Sequence, residues 1–130
     1  MRAELTGFPS IDKLWLKYYG EEVLHRPLPE GSMYDYLTSC NVDRLDSVAL
    51  NYFGKKVTHR HMQEKIDACA RALTAYGVRA GDAVSLCVLA MPEAVYLLYA
   101  INKIGAIANM LVMNATEAEI HEKLAVTKSK

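Results

Sequence analysis

Charge of one sign is what this sequence most plainly lacks. Fifteen Lys and Arg are matched by fifteen Asp and Glu over 130 residues, giving a formal net charge of zero. That balance offers no electrostatic footing for a nucleic acid or an anionic membrane surface. Cysteine is scarce as well. Cys40, Cys69 and Cys87 are odd in number and far apart, which fits neither a disulfide framework nor a zinc site. An apolar leader is also missing: "MRAELTGFPSIDK" places charges where a signal peptide needs its hydrophobic centre. Secretion is therefore not indicated, and a reducing, cytoplasmic setting is expected. The stretch poorest in charge, residues 83–101, has Glu93 alone and is long enough to suggest a membrane span. Pro92-Glu93 falls in its middle and Gly105 closes it, so a strand followed by a proline-started helix explains it better. The chain is expected to be soluble, with no transmembrane segment.

What the sequence does have is apolar content, 52% of its residues, enough for one globular domain with a real core. Residues 1–45 read as a helical lead-in. "PSIDKLWLKYYGEE" suggests a short helix with Ser10 as N-cap and Gly20 beyond its end. "HRPLPEG" is a connector, and "SMYDYLTSCN" a second helix whose Ser32 and Asp35 have capping-box spacing. Two such helices carry too many aromatics (Trp15, Tyr18, Tyr19, Tyr34, Tyr36) to bury between themselves, so they should pack on a larger body.

Residues 46–130 are more regular. "SVALNYF" and "KKVTH" predict a hairpin about Gly54-Lys55-Lys56. Met62, Ile66, Cys69, Ala70 and Leu73 recur at helical spacing, predicting a helix over 59–76 with Thr58 as cap. "AVSLCVLA" and "AIANMLV" are continuous apolar runs, expected as strands buried on both faces. Between them "PEAVYLLYAINKIG" opens on proline and closes on glycine, the usual helix asymmetry. "TEAEIHEKLAV" starts a last helix at Thr116. Strand, helix, strand demands a crossover, so the two strands should be parallel. The predicted class is α/β: a short hairpin, then α-β-α-β-α. Cys69 and Cys87 read as core thiols.

The stretch "YGVRAGDAVSL" invites a phosphate-loop reading. Such loops present backbone N–H groups at a helix N-terminus, which requires the order strand, glycines, helix. Here a helix ends, Gly77 and Gly81 follow, and a strand begins. Gly77 therefore reads as a helix stop with Val78 as its hydrophobic partner, and Gly81-Asp82 as a turn. The loop with the right order, residues 89–93, has no glycine, and Glu93 would repel a phosphate. His59 and His61 are two apart on a helix, so they do not face each other. "HEKLA" at His121 has Ala125 where a zinc-protease helix needs its second histidine. Asp43 and Asp46 flank Arg44 in a polar connector, and Ser39 and Ser85 show no neighbouring base. No catalytic, cofactor-binding or metal-ligating residue is expected in the chain.

The order and spacing of Ala49-Leu50 before the Gly54 hairpin, Thr58 opening a helix with Ala70 and Leu73, Gly77-Val78, Gly81-Asp82, Pro92-Glu93 and Gly105-Ala106 resemble the beginning of the adenylate-forming enzymes. These are the acyl-CoA synthetases, nonribosomal peptide adenylation domains and luciferases. The likeness runs from residue 46 to about 125. "PSIDKLWLKYY" looks like the lead-in of bacterial acyl-CoA ligases. The chain departs from the pattern at His61, often glutamate in the family, at Ala90 for asparagine, and near Asn114-Ala115 for a proline. The family places no catalytic role at any of these.

The resemblance implies the N-terminal part of the large domain of an AMP-forming acyl-CoA ligase of fatty acid metabolism. ATP, Mg2+ and coenzyme A would serve the parent enzyme, with a carboxylic acid as its substrate. The family's phosphate loop, nucleotide-binding motifs and C-terminal lysine come later in such chains. The 130 residues are therefore expected to be an inactive truncated segment whose partner is the remainder of the enzyme. Left alone, its apolar faces should make it self-associate. The rival expectation is a free-standing interaction or regulatory domain of the same fold.

Overall fold

A computed structural model describes residues 5–129; residues 1–4 and 130, the outer ends of the expected lead-in (1–45) and of the expected segment 46–130, lie outside the described residues. The chain divides into two compact units, Met1–Glu30 and Gly31–Lys130.

The first unit holds two short helices, α1 (Pro9–Asp12) and α2 (Glu21–Leu24), with a 3-10 turn over Leu14–Tyr18 between them. The single helix expected across "PSIDKLWLKYYGEE" is thus broken. The carboxylate of Asp12 turns back to accept from the Thr6 and Gly7 amides at 2.9 and 3.0 Å. Lys13 then adopts the left-handed conformation, φ 46°, which stops α-helical continuation. Phe8, not Ser10, occupies the N-cap position of α1, and Gly20 precedes α2 rather than ending a helix. Trp15 and Tyr18 remain 42% and 78% exposed.

The second unit opens with α3 (Met33–Ser39). Ser32 accepts from the Asp35 amide while Asp35 accepts from the Ser32 amide at 3.0 Å, a complete capping box. The hairpin follows, β1 (Val48–Tyr52) against β2 (Lys55–Thr58), with Tyr52 opposite Lys55 and a bulge between Val48 and Leu50. Its two-residue turn is Phe53-Gly54, one step earlier than the sequence suggested, because both residues have positive φ (47° and 87°), as a type I′ turn requires.

Helix α4 (His59–Ala75) starts where the Thr58 hydroxyl accepts from the His61 amide. Its Met62, Ile66 and Ala70 are buried, one face at the predicted period. Helix α5 (Pro92–Ile104) has Pro92 in its first turn and Gly105 at φ 82° after its end. Strands β3 (Ala83–Leu86) and β4 (Ile107–Met110) lie on either side of α5 in sequence and pair in parallel, Ala83 beside Ile107 and Leu86 beside Met110. Helix α6 (Glu117–Thr127) has a second capping box, Thr116 with Glu119.

Two clusters form the core. Val57, Met62, Ile66, Ala70, Tyr96 and Ala100 fill the space between hairpin, α4 and α5, with Tyr34 and Leu37 of α3 against them. Val78, Val84, Leu86, Ile101 and Ala106 join α5 to the strands. Ala100 and Ile101 are adjacent in sequence and both wholly buried. At about 100° apart on the helix they face different clusters, which is why α5 is apolar nearly all round.

The strands correct two expectations. β3 ends at Leu86, so Cys87 is exposed beyond it rather than inside a strand. The Leu111 amide makes the last bond, to the Leu86 carbonyl at 2.8 Å, and the chain must then turn to enter α5. Neither strand is covered on both faces: Val84 and Leu86 are buried, while Ile107, which points to the opposite face, is 60% exposed. On the other face the Asn109 amide donates to Ser85 at 2.9 Å and to Thr127 at 3.3 Å, tying the end of α6 to the sheet.

The helix ends and their carboxylates give two checkable stability outcomes. At Gly77 (φ 91°) a Cβ would stand in open space, whereas at Gly105 it would meet Ala80 Cβ at 3.3 Å. Gly77→Ala should cost about 1–2 kcal/mol for the left-handed backbone, and Gly105→Ala more, read as urea midpoints. Second, carboxylates are held below their usual values: Asp35 by the Ser32 hydroxyl, Glu119 by the Thr116 amide and Asp46 by Arg60. Unfolded, they take up protons near 3.8 for Asp and 4.5 for Glu. Stability is thus complete above those values and falls as pH drops through the lower folded ones, which acid titration by circular dichroism would register.

Candidate functional site

The glycine stretch after α4 is a helix stop. The Val78 amide donates to the Leu73 carbonyl at 3.0 Å and the Gly77 amide to Thr74 at 2.9 Å, the two bonds of a Schellman motif. Val78, only 5% exposed, belongs to the same cluster that Leu73 packs against. The Arg79 amide donates to the Asp82 carboxylate at 2.8 Å, Asp82 returns its own amide to the Arg79 carbonyl, and the Gly81 amide bonds Gly105. These amides are all engaged inside the chain, so the turn does not fit a phosphate.

At the loop with strand-to-helix order, Met91 precedes α5 without a side-chain cap and Glu93 sits in the first turn. Its negative charge opposes an anion at that helix end. Beside it lie two apolar grooves of about 270 and 250 Å³, which share Tyr52, Met91 and Pro92. Neither gathers the donors that a triphosphate needs.

The other weighed residues are dispersed. His59 Nδ1 is buried with no hydrogen-bond partner, while the His61 ring lies 3.5 Å from Glu64 on the surface. His121 lies 3.7 Å from Glu117, also at the surface. Asp46 takes Arg60 at 3.0 and 3.2 Å in a groove that Asp43 and Arg44 also line. Ser39 donates to the Tyr36 carbonyl, and Ser85 accepts from Asn109. Cys69 is half-buried with its thiol pKa raised by burial. Among the described residues no three His, Cys, Asp or Glu come together as a metal site, and no helix is long and apolar enough to cross a membrane.

One polar cluster escaped the sequence reading. Lys103 on α5 pairs with Asp67 on α4 and donates to the Tyr34 hydroxyl at 3.0 Å. The Tyr34 hydroxyl also reaches Asp67 at 3.3 Å. The Tyr34 amide, one of the free donors at the start of α3, bonds Asn102 Oδ1 at 2.8 Å. Burial works against the Lys103 ammonium, yet its bonds to Asp67 and Tyr34 raise its pKa overall. The cluster fastens α3 to the α4–α5 pair. Its only advance signal was helical phase, since Asp67 and Lys103 meet only once the two helices pack.

A family model for AMP-binding enzyme matches residues 38–130, which takes in the hairpin, both core helices, the parallel strands and α6. The chain belongs to the AMP-binding enzyme family. Solved structures of that family agree. The N-terminal subdomain of Klebsiella oxytoca NpsA, in complex with anthranilyl-AMSN, superposes with a TM-score of 0.74 at 27% identity, over 78% of this chain and 27% of that one. The anthranilate CoA ligase AuaEII, in complex with anthranoyl-AMP, gives 0.73 and 27% over 78% of this chain and 20% of its own. The N-terminal domain of FACL13 from Mycobacterium tuberculosis, at 23% identity and a TM-score of 0.71, shares the fold. No curated protein matches significantly. This AMP-binding chain thus spans about a quarter of the NpsA subdomain it matches, and its fold is the expected N-terminal part of an adenylate-forming enzyme's large domain.

Asn102→Ala should leave the Tyr34 amide without its acceptor. A loss of about 1 kcal/mol is expected, with faster amide exchange in α3 and little change in α4.

Proposed function

We propose that these 130 residues are the N-terminal segment of an ATP-dependent, AMP-forming carboxylate–CoA ligase, and that they supply its scaffold rather than its chemistry. The supporting observation is the family match across 38–130 on a fold shared at 27% identity with a CoA ligase. In this reading the parent enzyme uses ATP with Mg2+ to join a carboxylate to AMP, releasing pyrophosphate, and then transfers the acyl group to the coenzyme A thiol. The residues that hold the triphosphate and stabilise its charge belong to the rest of that enzyme. α4, α5 and the β3–β4 pair form one edge of its large domain, and the uncovered strand face is where the remaining elements pack. On its own the segment has no means of lowering the barrier, since neither the leaving phosphate charge nor the carboxylate meets a convergent set of donors. The setting of such an enzyme is cytoplasmic, its substrate a fatty or aromatic acid.

A second reading concerns the acceptor. One similar structure is NpsA-ThdA, an artificially fused adenylation–PCP di-domain from Klebsiella oxytoca, at 27% identity. A carrier-protein thiol in place of coenzyme A is therefore the alternative for the second half-reaction.

The 130-residue chain, given ATP, Mg2+ and a panel of fatty and aromatic acids, should release no pyrophosphate above background. A longer protein beginning with this sequence should release it with at least one acid, and product analysis with coenzyme A would then identify the acceptor. Turnover by the 130 residues alone, or none by the longer protein with any acid, would sink the reading.

A further inference from the structure

We propose that the free edge of β3, not that of β4, receives the next strand of the parent enzyme, laid parallel to both, so that β3 becomes an inner strand with β4 outside it. This rests on the reading that the chain belongs to a longer ligase, and it names the surface where the rest of that enzyme joins. The two helices beside the strands take different faces. α5 carries the chain from β3 to β4 and packs on the face of Val84, Leu86 and Ala108. α6 follows β4 and is tied to the opposite face, where Asn109 bonds both Ser85 and Thr127. One parallel pair therefore has its two connecting helices on opposite sides.

Handedness turns that placement into a direction. Crossovers between parallel strands are right-handed almost without exception. Seen from the α5 side with the strands pointing up, such a crossover steps to the right, from β3 to β4. α6 lies behind the sheet, so the same hand steps back to the left. The place beside β4 on that side is taken by β3. The next open place is the far edge of β3, about 10 Å from β4 at two strand spacings, which a short helix-to-strand loop spans. A strand reached through a returning helix runs parallel to the one before it. The backbone of β3 is already set for such a neighbour. The Ile107 amide donates to Asp82 and the Leu111 amide to Leu86, each at 2.8 Å. In a parallel ladder of that phase the Ala83, Ser85 and Cys87 amides point away from β4, and no strand pairs on that side among the described residues. The apolar run "AVSLCVLA" also continues past Leu86, where pairing with β4 ends, and unbroken apolar runs belong to inner parallel strands.

Residue-resolved amide exchange tests this, in the 130-residue chain and in a longer protein that begins with it. In the shorter chain the Ser85 and Cys87 amides should exchange fast. In the longer protein they should slow about a hundredfold or more, together with alternate amides of the first strand after α6. Ser85 and Cys87 amides that stay fast in the longer protein overturn the proposal. So does slowing confined to the Ala108 and Met110 amides, which face away from β3. Slow Ser85 and Cys87 amides without matching protection in the first strand after α6 overturn the order that handedness gives. Pyrophosphate release from the same preparation judges the ligase reading separately. Turnover with fast β3 amides keeps the ligase and loses the strand order, whereas protected β3 amides without turnover on any acid do the reverse.

Discussion

Helix α5 is the element on which the rest of the second unit depends. Its side chains are apolar nearly all round, so it is stable only where something covers each flank. Ala100 looks into the cluster made with α4 and the hairpin, and Ile101 into the cluster made with the strands; neither exposes any surface. Remove either neighbour and a flank of this helix faces water. The polar side carries Asn102 and Lys103, and these are the two residues that hold α3. One helix therefore sets the position of α3, α4, the hairpin and the parallel strands.

The same logic accounts for what is left open. Two parallel strands joined by one helix have one face covered by that helix. Val84 and Leu86 are buried there, while Ile107 on the opposite face is not. Asn109, Ser85 and Thr127 make a polar bridge on that side, enough to anchor the end of α6 but not to build a core. Such a half-covered sheet belongs with a chain that spans about a quarter of the subdomain it matches.

Much of this was legible beforehand where the signal is local. Ser32-Asp35, Thr58 and Gly77 act through bonds within a few residues, and each forms the cap its type predicts. Pro92 and Gly105 bracket α5 for the same reason. The failures arose where a local pattern had rivals. Asp12 could continue a helix or fold back onto the Thr6 and Gly7 amides, and it folds back. "AVSLCVLA" reads as one apolar run, but a run has no internal mark for where pairing stops. Cys87 lies past that point and is exposed. Histidine spacing and loop order are local patterns and could be weighed from the sequence, whereas the Tyr34–Asp67–Lys103 cluster joins residues from three elements and has no local pattern at all.

Residue order alone was enough for the helix stops and starts, the hairpin, the parallel crossover and the family. All of these rest on backbone conformations and periodicities that a few neighbouring residues impose. The succession of Gly77, Gly81 and the strand sufficed to separate a turn from a phosphate loop, because anion binding needs amides at a helix start. Three-dimensional packing settled the rest: which flanks of α5 are covered, where β3 ends, and that Lys103 reaches Asp67 and Tyr34. Those outcomes depend on distances between elements far apart in the chain, and no single segment sets such a distance.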